Sequence, residues 1–140
     1  MTLTFKYKEI PRSNPTHSVS PSIPITISGN GGKYEFMVLL DSGADVSAIP
    51  QHMAELLGLD LNHEKEEAFG IGGKVPAVST YMNILISKHH ERYEFKIPVK
   101  IIMGDSDFPP LIGRAVFFDK FDITFSQSDK RIFLKYKGKD

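Results

Sequence analysis

The 140-residue sequence contains no cysteine. That absence excludes disulfide frameworks, thiolate zinc sites and a cysteine nucleophile. The sequence also lacks a charge excess, because 17 basic and 17 acidic residues leave a formal net charge of zero. Proteins that coat nucleic acid carry a strong basic surplus, so we expect no nucleic-acid partner.

Long apolar runs are missing as well. The longest, such as residues 36–40, fall far short of the roughly 20 residues that a membrane helix needs. Lys6, Lys8 and Glu9 interrupt the first ten residues, which therefore do not form a secretory apolar segment. We expect no membrane partner and, by default, a cytoplasmic location. With 41% hydrophobic and 24% charged residues, the composition is that of one globular domain.

Strand patterns dominate the chain. Candidate strands cover residues 3–10, 23–28, 33–41, 46–49, 74–87, 92–103, 121–126 and 131–136. The run 36–40 is continuously apolar, which predicts a strand buried on both faces. Residues 28–32 form a dense turn signal that predicts a hairpin.

Helical patterns are scarce. The best lies at residues 50–57, where Pro50 can open the first turn, Met53, Leu56 and Leu57 form one face, and Gly58 can end the helix. Residues 114–120 predict a second short helical turn. Many short strands with one or two short helices indicate an all-β barrel or sandwich.

The first 21 residues differ from the rest. We interpret residues 1–21 as an N-terminal strand followed by a Pro/Ser-rich arm, and residues 22–140 as the main domain. Within residues 11–24, the four prolines and four serines indicate a linker laid over a surface, or simple disorder.

The most informative segment is Leu-Leu-Asp-Ser-Gly-Ala-Asp at residues 39–45. An apolar strand delivers Asp41 into a tight turn, where a buried carboxylate is costly unless donors satisfy it. Gly43 allows close backbone approach, and the Ser42 hydroxyl both donates and accepts. Taken alone, this tripeptide is weak evidence for catalysis, because an Asx-turn at a strand end is common.

Two later segments change that balance. Residues 69–74 are rich in glycine, and residues 110–114 read Pro-Leu-Ile-Gly-Arg. Together with Asp-Ser-Gly-Ala at 41–44, they resemble the retropepsin family, the single-lobed aspartic proteases typified by retroviral proteases. The resemblance covers roughly residues 22–137. It implies a closed single-lobe acid-protease barrel that acts as a two-fold homodimer.

The resemblance implies a role for each matched position. Asp41 is the catalytic aspartate, Ser42 links the two active-site loops of the dimer, and Gly43 offers backbone bonds to substrate. Asp45 and Arg114 form an ion pair that braces the loop. Substrate contacts are expected from Ala44, Asp45, Gly70, Ile71, Gly72, Gly73 and Ile112. Four apolar residues suit a substrate-facing wall and a core position equally well, namely Ile49, Ile71, Val75 and Ile112.

The implied chemistry requires two carboxyl groups. One takes a proton from water, and the other, protonated, polarises the scissile carbonyl. Only one Asp-Ser-Gly occurs in the sequence, so the second acid must come from another copy of the chain. No cofactor and no metal are expected, since the five histidines match no zinc spacing. Because Ala44 cannot donate a side-chain hydrogen bond, we expect activity to extend toward neutral pH.

The leading hypothesis is therefore a homodimeric aspartic endopeptidase that hydrolyses peptide bonds of an extended polypeptide. An alternative keeps the same barrel as a non-catalytic dimerisation or peptide-binding module, because fold does not guarantee function. A further option is a self-processing precursor whose residues 1–21 are a removable arm.

Overall fold

The computed structural model describes residues 2–9, 19–70 and 73–138. Strands make up most of this part of the chain. In order, the elements are β1 (Thr2–Lys6), β2 (Lys8–Glu9), β3 (Val19–Ser20), β4 (Ser22–Gly29), β5 (Gly32–Leu40), β6 (Ser47–Pro50), α1 (Gln51–Leu57), β7 (Lys65–Gly70), β8 (Gly73–Lys88), β9 (Glu91–Ile102), β10 (Leu111–Ile112), α2 (Phe117–Lys120), β11 (Phe121–Ser126) and β12 (Arg131–Tyr136).

Six strands close into a barrel. They follow the order β4-β5-β10-β6-β9-β8, and β4 also pairs with β8 through Thr26–Ser28, which joins the two ends. β7 pairs with β8 outside this ring and forms a hairpin with it. Closure leaves no free edge in the barrel itself. The predicted all-β, single-lobe barrel with two short helices is thus confirmed.

One hydrophobic core serves both the barrel and a second, three-stranded sheet of order β1-β12-β11. Alternating residues of β4 (Ile23, Ile25 and Ile27) are at most 1% exposed, as the two-residue period of a strand dictates. Leu3 and Phe5 of β1 belong to the same buried cluster. The first strand is therefore part of the packed structure.

The strand β5 departs from the prediction of burial on both faces. Val38 and Leu40 are buried, whereas Phe36, Met37 and Leu39 are only half-buried. β5 pairs with β4 along its length and with β10 only at Leu39 and Leu40, and it is the inner face of the strand that meets the core. A continuous apolar run did not distinguish these two situations.

The segment predicted as a linker, residues 11–24, lies partly outside the described residues, which resume at Val19. Its end is not a linker, because Ser22 pairs with Leu39 at the start of β4. Pro24 is tolerated in this strand because β8, the neighbour on the other side, begins its pairing at Thr26.

The two helices lie close to their predicted positions. Gly58 ends α1 with a left-handed φ of 65°, as expected of a C-terminal cap. The buried face of α1 holds Ala54 and Leu57. Leu56 is 48% exposed, so its predicted place on the buried face was wrong. Within the described residues, neither helix has the length and apolar character that crossing a membrane requires.

Candidate active site

The loop that carries Asp41 joins two barrel strands with a third strand between them. β5 and β6 are consecutive in the chain, yet β10 lies between them, parallel to β5 and antiparallel to β6. Ile112 of β10 pairs with Leu40, and the Asp41 N–H donates to the Ile112 carbonyl at 2.9 Å. The loop is therefore anchored at its first residue by a strand some seventy residues later in the chain.

The Asp41 side chain is half-buried and organised by its own turn. Its Oδ1 accepts the Gly43 N–H at 2.9 Å, and the Ala44 N–H donates to the Asp41 carbonyl at 3.2 Å. A Cβ at position 43 would stand 3.3 Å from that Oδ1, so glycine keeps this close approach relaxed. The turn holds the carboxyl in one direction while leaving it partly open to solvent.

Arg114 lies outside the loop and contacts three of its residues. One guanidinium nitrogen donates to the Ser42 carbonyl at 2.7 Å, and the other forms an ion pair and hydrogen bond with Asp45. The Arg114 N–H also donates to the Ala44 carbonyl at 2.9 Å. The planar, two-pronged arginine side chain suits this double contact.

Gly113, immediately before Arg114, packs directly against the loop backbone. A Cβ there would stand 2.5 Å from both the carbonyl carbon and the oxygen of Val46. The Gly113 N–H donates at 3.1 Å to the hydroxyl of Ser47, which is fully buried. The Leu-Ile-Gly-Arg motif thus supplies a strand, a close contact and a brace in consecutive residues.

The β7–β8 hairpin contains the segment predicted as a flap. Gly70 pairs with Gly73 at its end, and Gly73 has a φ of 102° that favours glycine. Phe69 is 79% exposed, with the Lys74 ammonium 5.6 Å from its ring. The same ammonium lies 3.4 Å from a Glu67 carboxylate oxygen.

A polar contact joins the base of this hairpin to the barrel. Glu66 of β7 accepts a hydrogen bond from the Ser79 hydroxyl of β8, and Lys100 of β9 lies 3.6 Å from the same carboxylate. The Ser79 hydrogen bond chiefly, and Lys100 to a smaller extent, lower the pKa of Glu66.

The structure separates the predicted site residues into groups. Asp41, Ser42, Gly43, Ala44 and Asp45 share one loop, and Gly70 and Gly73 share the end of the hairpin. The predicted positions Ile71 and Gly72 lie outside the described residues. The Ile112 and Ile49 side chains are fully buried in the core, so Ile112 contributes its carbonyl rather than its side chain.

The sequence analysis did not single out Phe69 or Ser47 as candidate site residues. Phe69 could have been identified, because it is a large apolar side chain next to a glycine-rich turn, where the two-residue period of the strand does not direct it into the core. Ser47 carried no signal, because its role depends on packing against Gly113. Among the described residues, no three acidic or histidine side chains are grouped to hold a metal ion.

The structure thus combines a strand-borne aspartate, a braced Asp-Ser-Gly turn and a single-lobe barrel. The model of the family described as Aspartyl protease matches residues 23–112, and the chain belongs to this family. Its fold is similar to that of a retropepsin-like aspartic protease. No curated protein sequence matches the chain significantly.

Three solved structures are similar to this chain, and the first of them shows the same fold. A retropepsin-like aspartic protease from Rickettsia conorii is 22% identical, with a TM-score of 0.60 over 97% of this chain and 91% of that one. EIAV protease in complex with the inhibitor HBY-793 is 20% identical, with a TM-score of 0.43 over 75% and 88% of the two chains. The retroviral protease-like domain of Ddi1 from Leishmania major is 14% identical, with a TM-score of 0.49 over 86% and 97%.

Proposed function

We propose that the chain is an aspartic endopeptidase in which a water molecule is held between the Asp41 carboxyls of two copies. The observation that supports this most directly is the Asp41 turn. Its carboxyl is half-buried, one oxygen accepts the Gly43 N–H, and Arg114 braces the loop from the other side. An acid held in one direction and still open to solvent suits chemistry on a bound water.

The need for two copies follows from the positions of other aspartates. Acid and base roles in the same step require two carboxyl groups that share one proton. Asp45, which lies in the same loop as Asp41, is paired with Arg114. Further aspartates contact other partners, namely Asp60 with His63, Asp107 with His52 and Asp122 with Lys137. A two-fold axis that brings together two Asp41 loops supplies the missing acid.

In the proposed reaction, the ionised Asp41 takes a proton from the water, and the protonated Asp41 of the second copy donates a hydrogen bond to the scissile carbonyl. The water attacks the carbonyl carbon while the second carboxyl passes its proton to the carbonyl oxygen, which gives a tetrahedral diol. The first carboxyl then passes the proton that it took from the water to the amide nitrogen, and the C–N bond breaks. One diol hydroxyl returns its proton to the second carboxyl, so an amine and a carboxylic acid are released and one of the two carboxyls is again protonated. No covalent intermediate with the protein forms.

The remaining residues would position the dimer and the substrate. The exposed Ser42 hydroxyl would bond across to the partner loop, and the Gly43 and Ala44 backbone would contact an extended peptide. The hairpin end at Gly70–Gly73, with Ile71 and Gly72, would close over that peptide and exclude water.

The first test is Asp41→Asn, which keeps the shape of the side chain and removes its acid chemistry. We expect cleavage of a peptide library, followed by mass spectrometry, to fall to background. Wild-type cleavage should also be blocked by a statine-type transition-state mimic. The matched control is Asp60→Asn, an exposed aspartate whose loss should leave cleavage unchanged. Wild-type protein that binds peptides but never cleaves them would instead support the non-catalytic module.

The dimer is tested by mixing. An equimolar amount of Asp41→Asn protein, after subunit exchange, should reduce activity per wild-type chain to about half, because half of the wild-type chains then sit in mixed dimers. A ninefold excess should reduce it to about a tenth. Activity that stays constant under both conditions would show that one chain is sufficient.

A further inference from the structure

A cleft away from the Asp41 loop lies where β1 and β2 meet the β8–β9 turn and the start of β12. Its volume is about 480 Å³, within the range of small-molecule sites. Its lining includes the cations Lys6, Lys8, Lys88 and Arg131, together with Phe5 and His89. None of the described residues that line the cleft is an acid, and none belongs to the Asp41 loop or the β7–β8 hairpin.

Two of these cations face each other directly. Lys6 of β1 is paired with Arg131 of β12 in the antiparallel ladder, and both are exposed. Like charges opposite one another on adjacent strands are destabilising. The ion pairs formed by described residues elsewhere use other cations, namely Lys74, Arg92, Lys100, Arg114 and Lys137. The fold therefore keeps a local repulsion that no acid among the described lining residues offsets.

Lys88 brings a further charge into the same cleft. Its ammonium donates to the Thr4 carbonyl and lies 4.5 Å from the centre of the Phe5 ring, so the side chain is held in place. Burial first, and then the positive charges of Lys8, Arg131 and Lys6, lower the pKa of Lys88. The cations thus interact with one another across the cleft.

We propose that this cleft binds a small molecule that carries a chain of phosphate groups. Four positive side chains from β1, β2, the end of β8 and β12 converge on it, so a single carboxylate would leave most of the charge uncompensated. A polyphosphate offers several charges and many acceptor oxygens, to which arginine and lysine donate strong hydrogen bonds. A compact cleft in a chain of zero net charge suits a small anion better than a nucleic acid.

Isothermal titration with inorganic tripolyphosphate is the direct test. We expect saturable binding that weakens with added salt, as screening requires. In Lys6→Gln/Arg131→Gln, binding should weaken roughly tenfold or more, since two charged donors are lost. Because the repulsion is also removed, the melting temperature of this variant without ligand should stay equal or rise.

The matched control is Lys33→Gln/Lys96→Gln, which removes the same charge from two exposed strand positions outside the cleft. Its tripolyphosphate affinity should equal that of the wild type. Three results would overturn the proposal: no saturable binding at millimolar tripolyphosphate, equal loss in both double variants, or a hexaglutamate peptide that binds as tightly. The last result would assign the cleft to acidic peptides. None of these readouts depends on peptide cleavage.

Discussion

The Asp41 loop and the β7–β8 hairpin are held very differently by the rest of the molecule. The loop donates a backbone hydrogen bond to the Ile112 carbonyl and accepts one from the Arg114 N–H. The Arg114 side chain also braces it, and Gly113 packs closely against it. The hairpin's first strand, β7, pairs with β8 alone and presents Phe69 at 79% exposure. One region is fixed by contacts from distant parts of the chain, and the other depends mainly on its own two strands.

This difference matches the tasks that we propose for the two regions. An acid must be held within a fraction of an ångström to act on a bound water, so its support has to be rigid. A cover must open for an extended peptide and close again, which requires a segment with few stabilising contacts. The braced loop and the less supported hairpin therefore suit the roles of base and cover that we propose for them.

The contrast between the loop and the hairpin is tested most directly by substituting one glycine in each of them. Gly113→Ala places a Cβ 2.5 Å from the Val46 backbone, which must move. We expect a loss of about 3 kcal/mol in the free energy of unfolding and roughly a hundredfold loss in kcat/KM through displacement of the Asp41 loop. Thermal unfolding and peptide-cleavage kinetics measure both.

The counterpart is Gly73→Ala in the hairpin. No residue in the described part of the chain lies within 4 Å of the added Cβ, so we expect its cost to be that of the left-handed backbone. We expect about 1 kcal/mol, because that conformation penalises side chains with a Cβ. If the two variants lose stability equally, the loop is no more constrained than the hairpin, and the contrast drawn above is wrong.

A smaller effect should come from Phe69. If the hairpin closes on substrate, this ring becomes buried only in the complex, and Phe69→Ser should lower kcat/KM roughly tenfold or more through KM. The melting temperature of the free protein should not change. Tyr81→Ser is the matched control, since Tyr81 is also exposed, at 62%, but lies along β8 opposite Pro98. Equal kinetic effects of both changes would mean that Phe69 has no special role at the cover.

Much of the barrel could be predicted from local pattern. The alternation in residues 23–28 and the glycine-rich turn after it encode the β4–β5 hairpin, because strand period and turn chemistry act over a few residues. Gly58 at the end of α1 is a similar local signal. These features need no knowledge of what packs against them.

Other features depended on contacts between distant parts of the chain. The insertion of β10 between β5 and β6 brings Ile112 beside Leu40, and no local pattern specifies that pairing. The burial of one face of β5 and the exposure of Leu56 likewise depend on which surfaces the rest of the chain covers. At the site, Asp41 was identifiable from its motif, but the contact of Ser47 with Gly113 exists only in the folded chain.

The smallest expected effect concerns the base of the hairpin. The Ser79 hydroxyl lowers the pKa of Glu66 from its ordinary value of 4.5, so the folded state holds this proton less tightly than the unfolded chain does. The stabilisation is therefore present above pH 4.5 and is lost as the pH falls through the lower, folded-state pKa. Ser79→Ala should lower the melting temperature slightly at neutral pH, and the difference from wild type should shrink below pH 4.5.

Ser87→Ala, an exposed serine on the same strand, is the control and should show no such pH dependence. A difference between Ser79→Ala and wild type that stays constant from pH 7 to pH 3 would mean that the hydroxyl does not act through Glu66, and that β7 is held to β8 by the backbone ladder alone.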